Sequence, residues 1–327
     1  MNRDAARLLW RAALLLSLNA LAGLVALTWL GRGHALNPWE TDAKLEGFRF
    51  DQPHDLIILG TSRAYTLSRY EANHKALEEG LRARVLNLAM PAAGGVKPAW
   101  TYLRHALDRG MRPKAVLIAL DPFVFFSEAC NEQHKFVYYE PFEFGFFRAL
   151  LADAYPWRRI LTHVRHKFTL EWILREPSPL PRFDNALSSL PDQEHVARRM
   201  DSLYLEGLSP EKMAHYGRYL RKMLERCQSE GIAAHVMLMP TLLGEEPGAA
   251  AFHELLNNLR EEFAFTQSNL VDAMPSPEYF YDSDHMNAAG VERFVSGHLA
   301  PWWQALQPVV AFDLAKYAKL HPMGTMR

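Results

Sequence analysis

Short, uninterrupted apolar segments alternate with helical patterns along most of the chain, and this alternation constrains the fold more than any other feature. The segments predicted to be strands are 56–59, 84–90, 115–120, 233–239 and 269–272, and the helical patterns are 68–82, 100–109, 211–230, 249–263 and 288–306. Strands that are apolar on both faces are typical of a parallel sheet with helices on both sides. We therefore predict a three-layer α/β/α sandwich around a five-stranded parallel sheet.

An uncharged apolar segment, 12–30, precedes the first predicted strand. A helix rises about 1.5 Å per residue, so this segment nearly spans a hydrocarbon core of about 30 Å. Arg3, Arg7 and Arg11 precede it, and the positive-inside rule then places the N-terminus in the cytoplasm. We predict that residues 1–36 form a cytoplasmic stub and a transmembrane anchor, and that the main domain lies on the extracytoplasmic, periplasmic side.

Two other interpretations of this apolar segment stay open. Gly33-His34-Ala35 roughly fits the small-x-small site of a cleaved signal peptide. A buried core helix is the second, although such a helix usually has one apolar stripe rather than apolar residues on every face. With either an anchor or a signal peptide, the main domain is extracytoplasmic.

Charge and cysteine content bear on the class of protein. The chain has 36 Lys and Arg residues against 37 Asp and Glu, and no basic run is interleaved with aromatic residues, so we predict no binding to nucleic acid. The two cysteines are Cys130 and Cys227. A disulfide between them stays open, but two small buried apolar side chains are favoured, because so few cysteines form no disulfide framework.

The alternation is interrupted between residues 123 and 208, where aromatic residues and then prolines are frequent. A loop of this length is uncommon in a compact domain unless it has a function. We predict an inserted aromatic and proline-rich cap; a helical subdomain that only stabilises the fold is the alternative. The remaining predicted boundaries are a linker at 37–54, the main α/β domain at 55–122 and 209–306, and a tail at 307–327.

The motif Gly60-Thr61-Ser62-Arg63 follows the first predicted strand directly. The glycine permits a sharp turn, after which Ser62 would lie exposed at the start of a helix, where free backbone N–H groups can stabilise negative charge. The motif therefore predicts a nucleophilic serine. Serine is also a favoured N-cap residue, so an ordinary helix cap is the alternative.

The motif Asp282-Ser283-Asp284-His285 lies in a loop before the last predicted helix. A serine hydroxyl needs a base that takes its proton and an acceptor that fixes the tautomer of that base. A carboxylate three residues before a histidine can fold back onto the ring. We therefore predict His285 as the base and Asp282, rather than Asp284, as the acceptor. The alternative is a turn and capping cluster in which Asn287 caps the helix.

The loop 91–95, after the second predicted strand, contains Gly94 and Gly95. Acyl transfer needs N–H donors aimed at the developing oxyanion, and the loss of one donor typically costs about 3–4 kcal/mol. We predict an oxyanion hole formed by the N–H groups of Ser62 and Gly94, with Gly95 as the other candidate. Glycines that only give the loop freedom are the alternative. The sequence has no clear nucleotide-binding glycine loop or metal-ligand motif, so we predict neither a cofactor nor a metal.

These motifs share one edge of the predicted sheet, because loops that follow parallel strands meet at the carboxyl ends of the strands. A serine after the first strand, a glycine after the second, and an aspartate three residues before a histidine near the last helix resemble the SGNH, or GDSL-like, hydrolase superfamily. The resemblance covers 55–306 except the insertion. It implies a flavodoxin-like fold and a serine esterase or acyltransferase with Ser62, Asp282 and His285 as its catalytic triad.

With the predicted anchor, the chain is similar to proteins that modify cell-surface polymers, such as those of lipoteichoic-acid D-alanylation and of alginate or cellulose acetylation. The resemblance implies an O-acyl substrate, foremost acetyl, on a cell-surface or secreted polysaccharide. It also implies a membrane-bound O-acyltransferase as a partner that supplies the acyl group. A plain esterase is one alternative, and an inactive scaffold that binds a glycan or that partner is the other.

Two positions depart from the superfamily pattern. Thr61 stands where an aspartate usually precedes the serine, and Asp121 stands after the third strand, where an asparagine usually supplies a third oxyanion donor. An ionised carboxylate accepts hydrogen bonds but cannot donate them. The departures argue against strong activity on simple esters and leave room for a specialised transferase.

Overall fold

The computed structural model of the protein describes residues 3–30, 43–47, 52–91, 94–132, 136–174 and 185–306. Contacts between residues divide the chain into two compact units. The helical unit comprises Met1–Gly47 and Val137–Pro179, and the sheet unit comprises Phe48–Phe136 and Leu180–Arg327. The predicted tail at 307–327 and much of the predicted linker at 37–54 lie outside the described residues.

Helices form most of the regular structure. In chain order they are α1 Arg3–Leu30, α2 Lys44–Gly47, α3 Ser62–Tyr65, α4 Glu71–Leu81, α5 Val96–Asp108, α6 Glu128–Glu132, α7 Phe136–Tyr139, α8 Phe144–Ala152, α9 Trp157–His166, α10 Leu170–Ile173, α11 Gln193–Leu203, α12 Pro210–Ser229, α13 Ala249–Arg260 and α14 Ala288–Phe294. After α14 the chain continues through a π-helical turn, Val295–Leu299, into a last helical segment that reaches residue 306.

A five-stranded parallel sheet lies in the sheet unit, which confirms the predicted α/β class. Its strands are β1 Leu56–Gly60, β2 Val85–Asn87, β3 Ala115–Ala119, β4 Ala233–Leu238 and β5 Thr266–Asn269, in the order β2-β1-β3-β4-β5. Leu56 of β1 faces Val85 of β2 on one side and Ala115 of β3 on the other. Every residue of β1 and β3 is buried, which explains why both strands are apolar throughout.

Helices cover the apolar strand residues. Alternate residues of a strand point to opposite faces of the sheet, and on one face Leu56 and Ile58 belong to a buried cluster. The same cluster contains Leu77 of α4 and Val291 and Phe294 of α14. α5 and α12 pack against each other, and each also contacts the sheet, α5 at β1 and α12 at β4. The loops after the strands are thereby left as the places where polar side chains can gather.

The bounds of α12 follow from its local sequence. Ser209 is the N-cap and accepts a hydrogen bond from the Lys212 amide, while Pro210 occupies the first helical position, where its N–H would have no partner. Gly231 follows the helix with a φ of 68°, a left-handed conformation that favours glycine. The predicted helix 211–230 therefore agrees closely with α12.

The fifth strand differs from the prediction. β5 comprises Thr266–Asn269, whereas the sequence predicts a strand at 269–272, so the predicted position is wrong. β5 is the edge strand next to β4, and its residues are polar and at least partly exposed. The side chains of Thr266 and Ser268 bond to the two ring nitrogens of His235 in β4, at 2.6 and 2.9 Å. A polar edge strand of this kind carries no apolar pattern that would reveal it.

α1 contains a stretch, Arg7–Leu27, that is long and apolar enough to cross a membrane. None of its most apolar 18-residue window is buried against the rest of the protein. The core helix of a soluble domain buries at least one face, so this exposure argues against that interpretation. A membrane anchor and a signal peptide both fit an exposed apolar helix near the N-terminus.

The remainder of the helical unit contains α2, most of α7, and α8 to α10. The amides of Lys44 and Leu45 donate to the two carboxylate oxygens of Glu140 at 2.7 and 2.8 Å, and all three residues are buried. The segment 123–208, predicted as an inserted cap or a helical subdomain, contains α6 to α11. By contacts, its middle part joins the helical unit, while its two ends join the sheet unit.

Cys130 and Cys227 are free, so the described structure contains no disulfide between them. Cys227 is buried on α12, and burial raises the pKa of its thiol to about 12. Cys130 is partly buried, and burial also raises the pKa of its thiol. Both cysteines therefore behave as small packing residues, which is the favoured interpretation of the sequence.

Candidate active site

Ser62 is the first residue of α3, directly after the turn that ends β1. The N-cap of α3 is Thr61, whose hydroxyl accepts a hydrogen bond from the Arg63 amide at 3.3 Å. The interpretation of Ser62 as an ordinary helix cap is therefore wrong, and its hydroxyl is left for another partner. Gly60 is required by the close approach of β1 and β3, because a Cβ atom there would lie 2.5 Å from the carbonyl oxygen of Ala119.

His285 lies in a tight loop between β5 and α14. Phe280 and Met286 form an isolated antiparallel bridge across this loop. Inside it, one carboxylate oxygen of Asp282 accepts hydrogen bonds from the amides of Asp284 and His285, at 3.0 and 2.8 Å. The backbone of the loop thus fixes the position of the Asp282 carboxylate.

The three residues predicted as a triad are brought together. Nδ1 of His285 is 2.9 Å from each carboxylate oxygen of Asp282, and Nε2 is 2.8 Å from the hydroxyl oxygen of Ser62. A ring with its proton on Nδ1 donates to Asp282 and can accept the hydroxyl proton of Ser62 at Nε2. A nucleophile, a base and an orienting acid within hydrogen-bond range can activate a serine hydroxyl.

Asp284, the other acid of the motif, has different partners. Its nearest distance to Nδ1 of His285 is 3.7 Å, beyond hydrogen-bond range. Arg199 of α11 donates to both of its oxygens, at 3.1 and 2.7 Å. Burial acts to raise the pKa of this carboxyl, but the neighbouring His285 and the positive charges of Arg63 and Arg199 lower it below its ordinary value. The structure therefore brings Asp282, and not Asp284, to the ring.

A buried cluster of charges surrounds Arg63, the residue after the serine. One Nη atom of Arg63 donates to Asp121 at 2.9 Å and to Glu246 at 2.7 Å, and all three side chains are at most 3% exposed. Nε of the same guanidinium lies 3.7 Å from Asp284. Removing one partner of a buried ion pair typically costs about 3–5 kcal/mol. The cluster therefore ties the loops after β1, β3 and β4 to the loop that holds His285.

Asp121 occupies the place where the superfamily pattern has an asparagine. One of its oxygens accepts from the Thr61 hydroxyl and the other from Arg63. Burial raises the pKa of this carboxyl to about 6, an effect that the charge of Arg63 opposes and that of Glu246 reinforces. Both oxygens of Asp121 are thus engaged within the cluster, and the departure from the pattern has a structural role.

An aromatic ring covers the imidazole of His285. Tyr281 stacks on His285 with centroids 5.5 Å apart and the planes at 11°. Arg69 donates to the Tyr281 hydroxyl at 3.1 Å, and its guanidinium lies 5.8 Å from the centroid of the same ring. The stack limits rotation of the imidazole and keeps its two nitrogens directed at their partners.

The two glycines predicted as oxyanion donors differ in their surroundings. The amide of Gly95 donates to the Cys130 carbonyl at 3.1 Å, so it is already engaged. Gly94 is buried beside Met90, whose Cβ would lie 2.5 Å from a Cβ atom at that position. Ser62 is the first residue of its helix, so its amide has no acceptor within the helix. Ser62 and Gly94 therefore stay the candidate donors.

Asp282, Asp284 and His285 also place one potential metal ligand atom each within 4.8 Å of one another. Nδ1 of His285 is bonded to Asp282, and Asp284 is paired with Arg199. A cation would have to displace both interactions. The residues therefore fit a proton relay better than a metal site.

Several members of the site have no clear signal in the sequence. Arg63 could have been suspected, because a charged residue only three positions after a buried strand must find partners. Arg199, Tyr204 and Glu246 come from distant segments: the Tyr204 hydroxyl donates to Glu246 at 2.9 Å, and Arg199 binds Asp284. Their roles depend on tertiary contacts that no local pattern encodes.

Comparison with known proteins assigns no family to the chain. No protein-family model matches it, and no match is found among curated proteins. The interpretation of the site therefore rests on its own geometry and chemistry.

Proposed function

We propose that the protein is an extracytoplasmic serine acyltransferase or esterase of the SGNH type. Its substrates would be O-acyl groups, foremost acetyl, of a cell-surface or secreted polysaccharide. The observation that carries the proposal is the relay from Asp282 through His285 to Ser62, with distances of 2.9 and 2.8 Å. A serine hydroxyl alone is a weak nucleophile, and a relay of this kind activates it.

The first step forms an acyl-enzyme. Nε2 of His285 accepts the hydroxyl proton of Ser62 while the serine oxygen attacks the carbonyl carbon of the acyl ester. Asp282 keeps the other ring proton on Nδ1 and stabilises the imidazolium. The bond from the carbonyl carbon to the leaving oxygen then breaks, and that oxygen takes the proton from His285. The acyl group remains on Ser62.

The second step releases the acyl group. A hydroxyl of a sugar, or water, gives its proton to His285 and attacks the acyl-enzyme; the bond to Ser62 breaks and the serine recovers its proton. A sugar acceptor gives transfer, and water gives hydrolysis. The N–H groups of Ser62 and Gly94 stabilise the oxyanion in both steps, where one donor typically contributes about 3–4 kcal/mol.

The placement of the site supports an SGNH-type, three-layer α/β/α catalytic domain. Ser62 follows β1, Asp121 follows β3, and His285 follows β5, and the strands are parallel. These loops therefore meet at the carboxyl edge of the sheet, where open α/β sheets bind their ligands. Contacts of α4 and α14 with one set of strand residues, and of α5 and α12 with the sheet, support helices on both faces.

We propose that α1 is a transmembrane anchor with its N-terminus in the cytoplasm. Arg3, Arg7 and Arg11 precede the apolar stretch, which is the charge distribution of a cytoplasmic end. The site would then lie on the extracytoplasmic side, beside polymers that are exported there. A membrane-bound O-acyltransferase is the partner that would supply the acyl group.

The test uses the full chain in detergent, a fluorophosphonate probe and an acyl-reporter ester. We expect the wild-type protein to be labelled and to release the reporter, and Ser62→Ala to do neither. Ser202→Ala, which removes an exposed hydroxyl on α11, is the matched control and is expected to behave as the wild type. Equal turnover in the wild type and Ser62→Ala would remove Ser62 from the mechanism. Counting acyl groups on an acceptor glycan then separates transfer from hydrolysis.

A catalytically inactive scaffold is the second candidate. Asp121 favours it, because this residue replaces an expected oxyanion donor and both of its oxygens accept hydrogen bonds. Such a scaffold would bind a glycan or the acyltransferase partner without forming an acyl-enzyme. A folded wild-type protein that the fluorophosphonate probe never labels would support the scaffold and reject the enzyme.

A further inference from the structure

The helical unit exposes much apolar surface outside α1. The exposed large apolar side chains of its segment 137–174 are Tyr139, Phe144, Leu151, Trp157, Leu161, Phe168, Leu170 and Leu174. The described residues of the much larger sheet unit expose Leu190, Leu205 and Leu208. Exposed apolar side chains concentrated in one short segment mark a contact surface.

Successive helices of this segment present stripes that also contain arginine. The exposed stripes are Phe144, Arg148 and Leu151 on α8, and Trp157, Leu161 and Arg165 on α9. Residues three or four apart share one face of a helix, so each stripe is a continuous face. The opposite side of α9 carries buried His163, whose Nδ1 bonds to the Val137 carbonyl. Each helix thus packs one face against the rest of the helical unit and exposes the opposite face.

The exposed charge of the segment is mostly positive. The exposed arginines of 137–174 are Arg148, Arg158 and Arg165, and the exposed acid is Glu171. Of the three other acids, Glu140 and Asp153 are buried and Glu143 is partly buried. Apolar side chains interleaved with arginine are what an interfacial helix offers to acyl chains and to anionic headgroups.

The segment is bound to residues that a short connection joins to α1. Glu140 accepts the amides of Lys44 and Leu45 at 2.7 and 2.8 Å. Residues 31–43, which connect this contact to α1, span at most about 45 Å when fully extended. Buried Lys167 donates to the Tyr138 carbonyl at 2.9 Å, which further links the helices of the segment. A membrane that holds α1 therefore also lies within reach of the exposed stripes.

We infer that segment 137–174 docks on the lipid surface beside α1 and lies in the membrane interface without crossing the bilayer. Trp157 and Leu161 lie at the depth of the first acyl carbons, and Arg158 and Arg165 bind the phosphates of an anionic phospholipid. Tryptophan and arginine are the residues that favour this zone of a bilayer. The inference rests on the proposed anchoring by α1 and does not depend on the catalytic role of Ser62.

The experiment uses the full chain in lipid nanodiscs that contain phosphatidylglycerol and a spin-labelled quencher lipid. An environment-sensitive fluorophore is attached to Leu161→Cys, to Leu205→Cys as an exposed leucine of the sheet unit, or to Leu16→Cys in α1. Each variant carries Cys130→Ser, because Cys130 is partly exposed. We expect the probe at 161 to be quenched at least two-fold more than the probe at 205. That excess is expected to fall by half or more with Arg158→Gln and Arg165→Gln together, or with phosphatidylcholine alone.

Strong quenching at position 16 reports that α1 is inserted, so it separates the two proposals. If position 16 is not quenched, the anchor itself is refuted and this inference with it. If position 16 is quenched but 161 is quenched no more than 205, the lipid platform is refuted while the anchor stands. A probe at 161 that is shielded from water in native membranes, but not in lipid nanodiscs, would show a protein partner instead and would also refute the lipid platform.

Discussion

Arg63 determines much of the electrostatics beside Ser62. It lies in one buried cluster with three carboxylates, those of Asp121, Glu246 and Asp284, and the last of these also pairs with Arg199, whose side chain is 33% exposed. Two positive charges cannot balance three negative ones, so the cluster is neutral when one carboxyl keeps its proton. The raised pKa of Asp121 fits this balance, since burial without full compensation favours the protonated form.

Asp121→Asn removes this titration. The pKa of Asp121 is about 6 in the folded protein against an ordinary 3.8, so between about pH 4 and pH 6 the folded state holds a proton that the unfolded chain has lost. Stability therefore falls as the pH rises through this window, by on the order of 3 kcal/mol. We expect the melting temperature to fall less steeply from pH 4 to pH 6 in Asp121→Asn than in the wild type.

The melting temperature is measured by intrinsic fluorescence of the full chain in detergent. Glu225→Gln, which neutralises an exposed carboxylate on α12, is the control and is expected to keep the wild-type slope. Parallel profiles of the wild type and Asp121→Asn would show that Asp121 is ionised throughout this pH range.

Asp282→Asn tests which acid orients His285. An amide keeps the shape but disfavours the Nδ1–H tautomer, so kcat is expected to fall on the order of 10³- to 10⁴-fold. The melting temperature should change little, because the Asp282 side chain is 41% exposed.

Asp284→Asn should instead lower the unfolding free energy by about 1–3 kcal/mol, because Arg199 loses a bidentate acceptor. Reporter-ester kinetics and thermal unfolding of both variants measure the contrast, and the reverse pattern would assign the orienting role to Asp284.

The spacing of the motifs is enough to predict which side chains meet. Ser62 after a strand, and Asp282 three residues before His285, follow from local rules on turns and on sheet edges. The alternative interpretation of this loop, as a turn and capping cluster, does not exclude the relay. Asn287 does cap α14 by accepting the Gly290 amide at 2.9 Å, and Asp282 does bind loop amides. One loop serves both purposes, and the sequence alone could not show that.

At the scale of elements, the prediction is best where burial is complete. β3 and β4 lie within the predicted segments, and β1 extends only one residue beyond its own, because apolar runs between turn residues leave few alternatives. The sequence predicts β5 at the wrong position, because polar side chains and their hydrogen bonds to His235 stabilise this strand. Such residues produce no periodic pattern of apolar residues. The short helices of 123–208 could not be resolved from sequence either, since elements of four or five residues carry little periodic signal.

Gly60→Ala tests the junction between β1, β3 and α3. A Cβ atom at this position would lie 2.5 Å from the Ala119 carbonyl oxygen and 2.7 Å from Cβ of Ala64. One contact is with a backbone oxygen, and the other is with a Cβ atom whose position the backbone fixes. The strands must therefore shift, which lowers the free energy of unfolding by about 1–3 kcal/mol. We expect a lower melting temperature and reduced fluorophosphonate labelling, because Ser62 moves with the turn.

Gly297→Ala is the matched control for this substitution. Apart from the adjoining backbone of its own helix, no atom lies within 4 Å of a Cβ at Gly297, so stability is expected to be unchanged or slightly higher. A melting temperature of Gly60→Ala equal to that of the control would mean that β1 and β3 are not held as closely as the contacts require.

At the scale of the whole molecule, the proposed anchor and the proposed site together require one membrane topology. The sheet unit must lie on the side of the membrane where the polysaccharide is found. The charges before α1 predict this side from the sequence, but no contact in the described structure encodes it. Topology therefore has to be measured in cells, and it decides whether exported polymers can reach Ser62.

Two variants report which side of the membrane each part of the chain occupies. They are Leu205→Cys and Asn2→Cys, each combined with Cys130→Ser. Leu205 is 86% exposed in the sheet unit, and Cys227 is buried and should not react. In spheroplasts, a membrane-impermeant maleimide is expected to label position 205 and to label position 2 only after the membrane is opened. A cleaved signal peptide would remove position 2 from the mature chain and release the protein from the membrane. Labelling of position 2 but not of 205 in sealed spheroplasts would put the site in the cytoplasm, where an exported polysaccharide could not be its substrate.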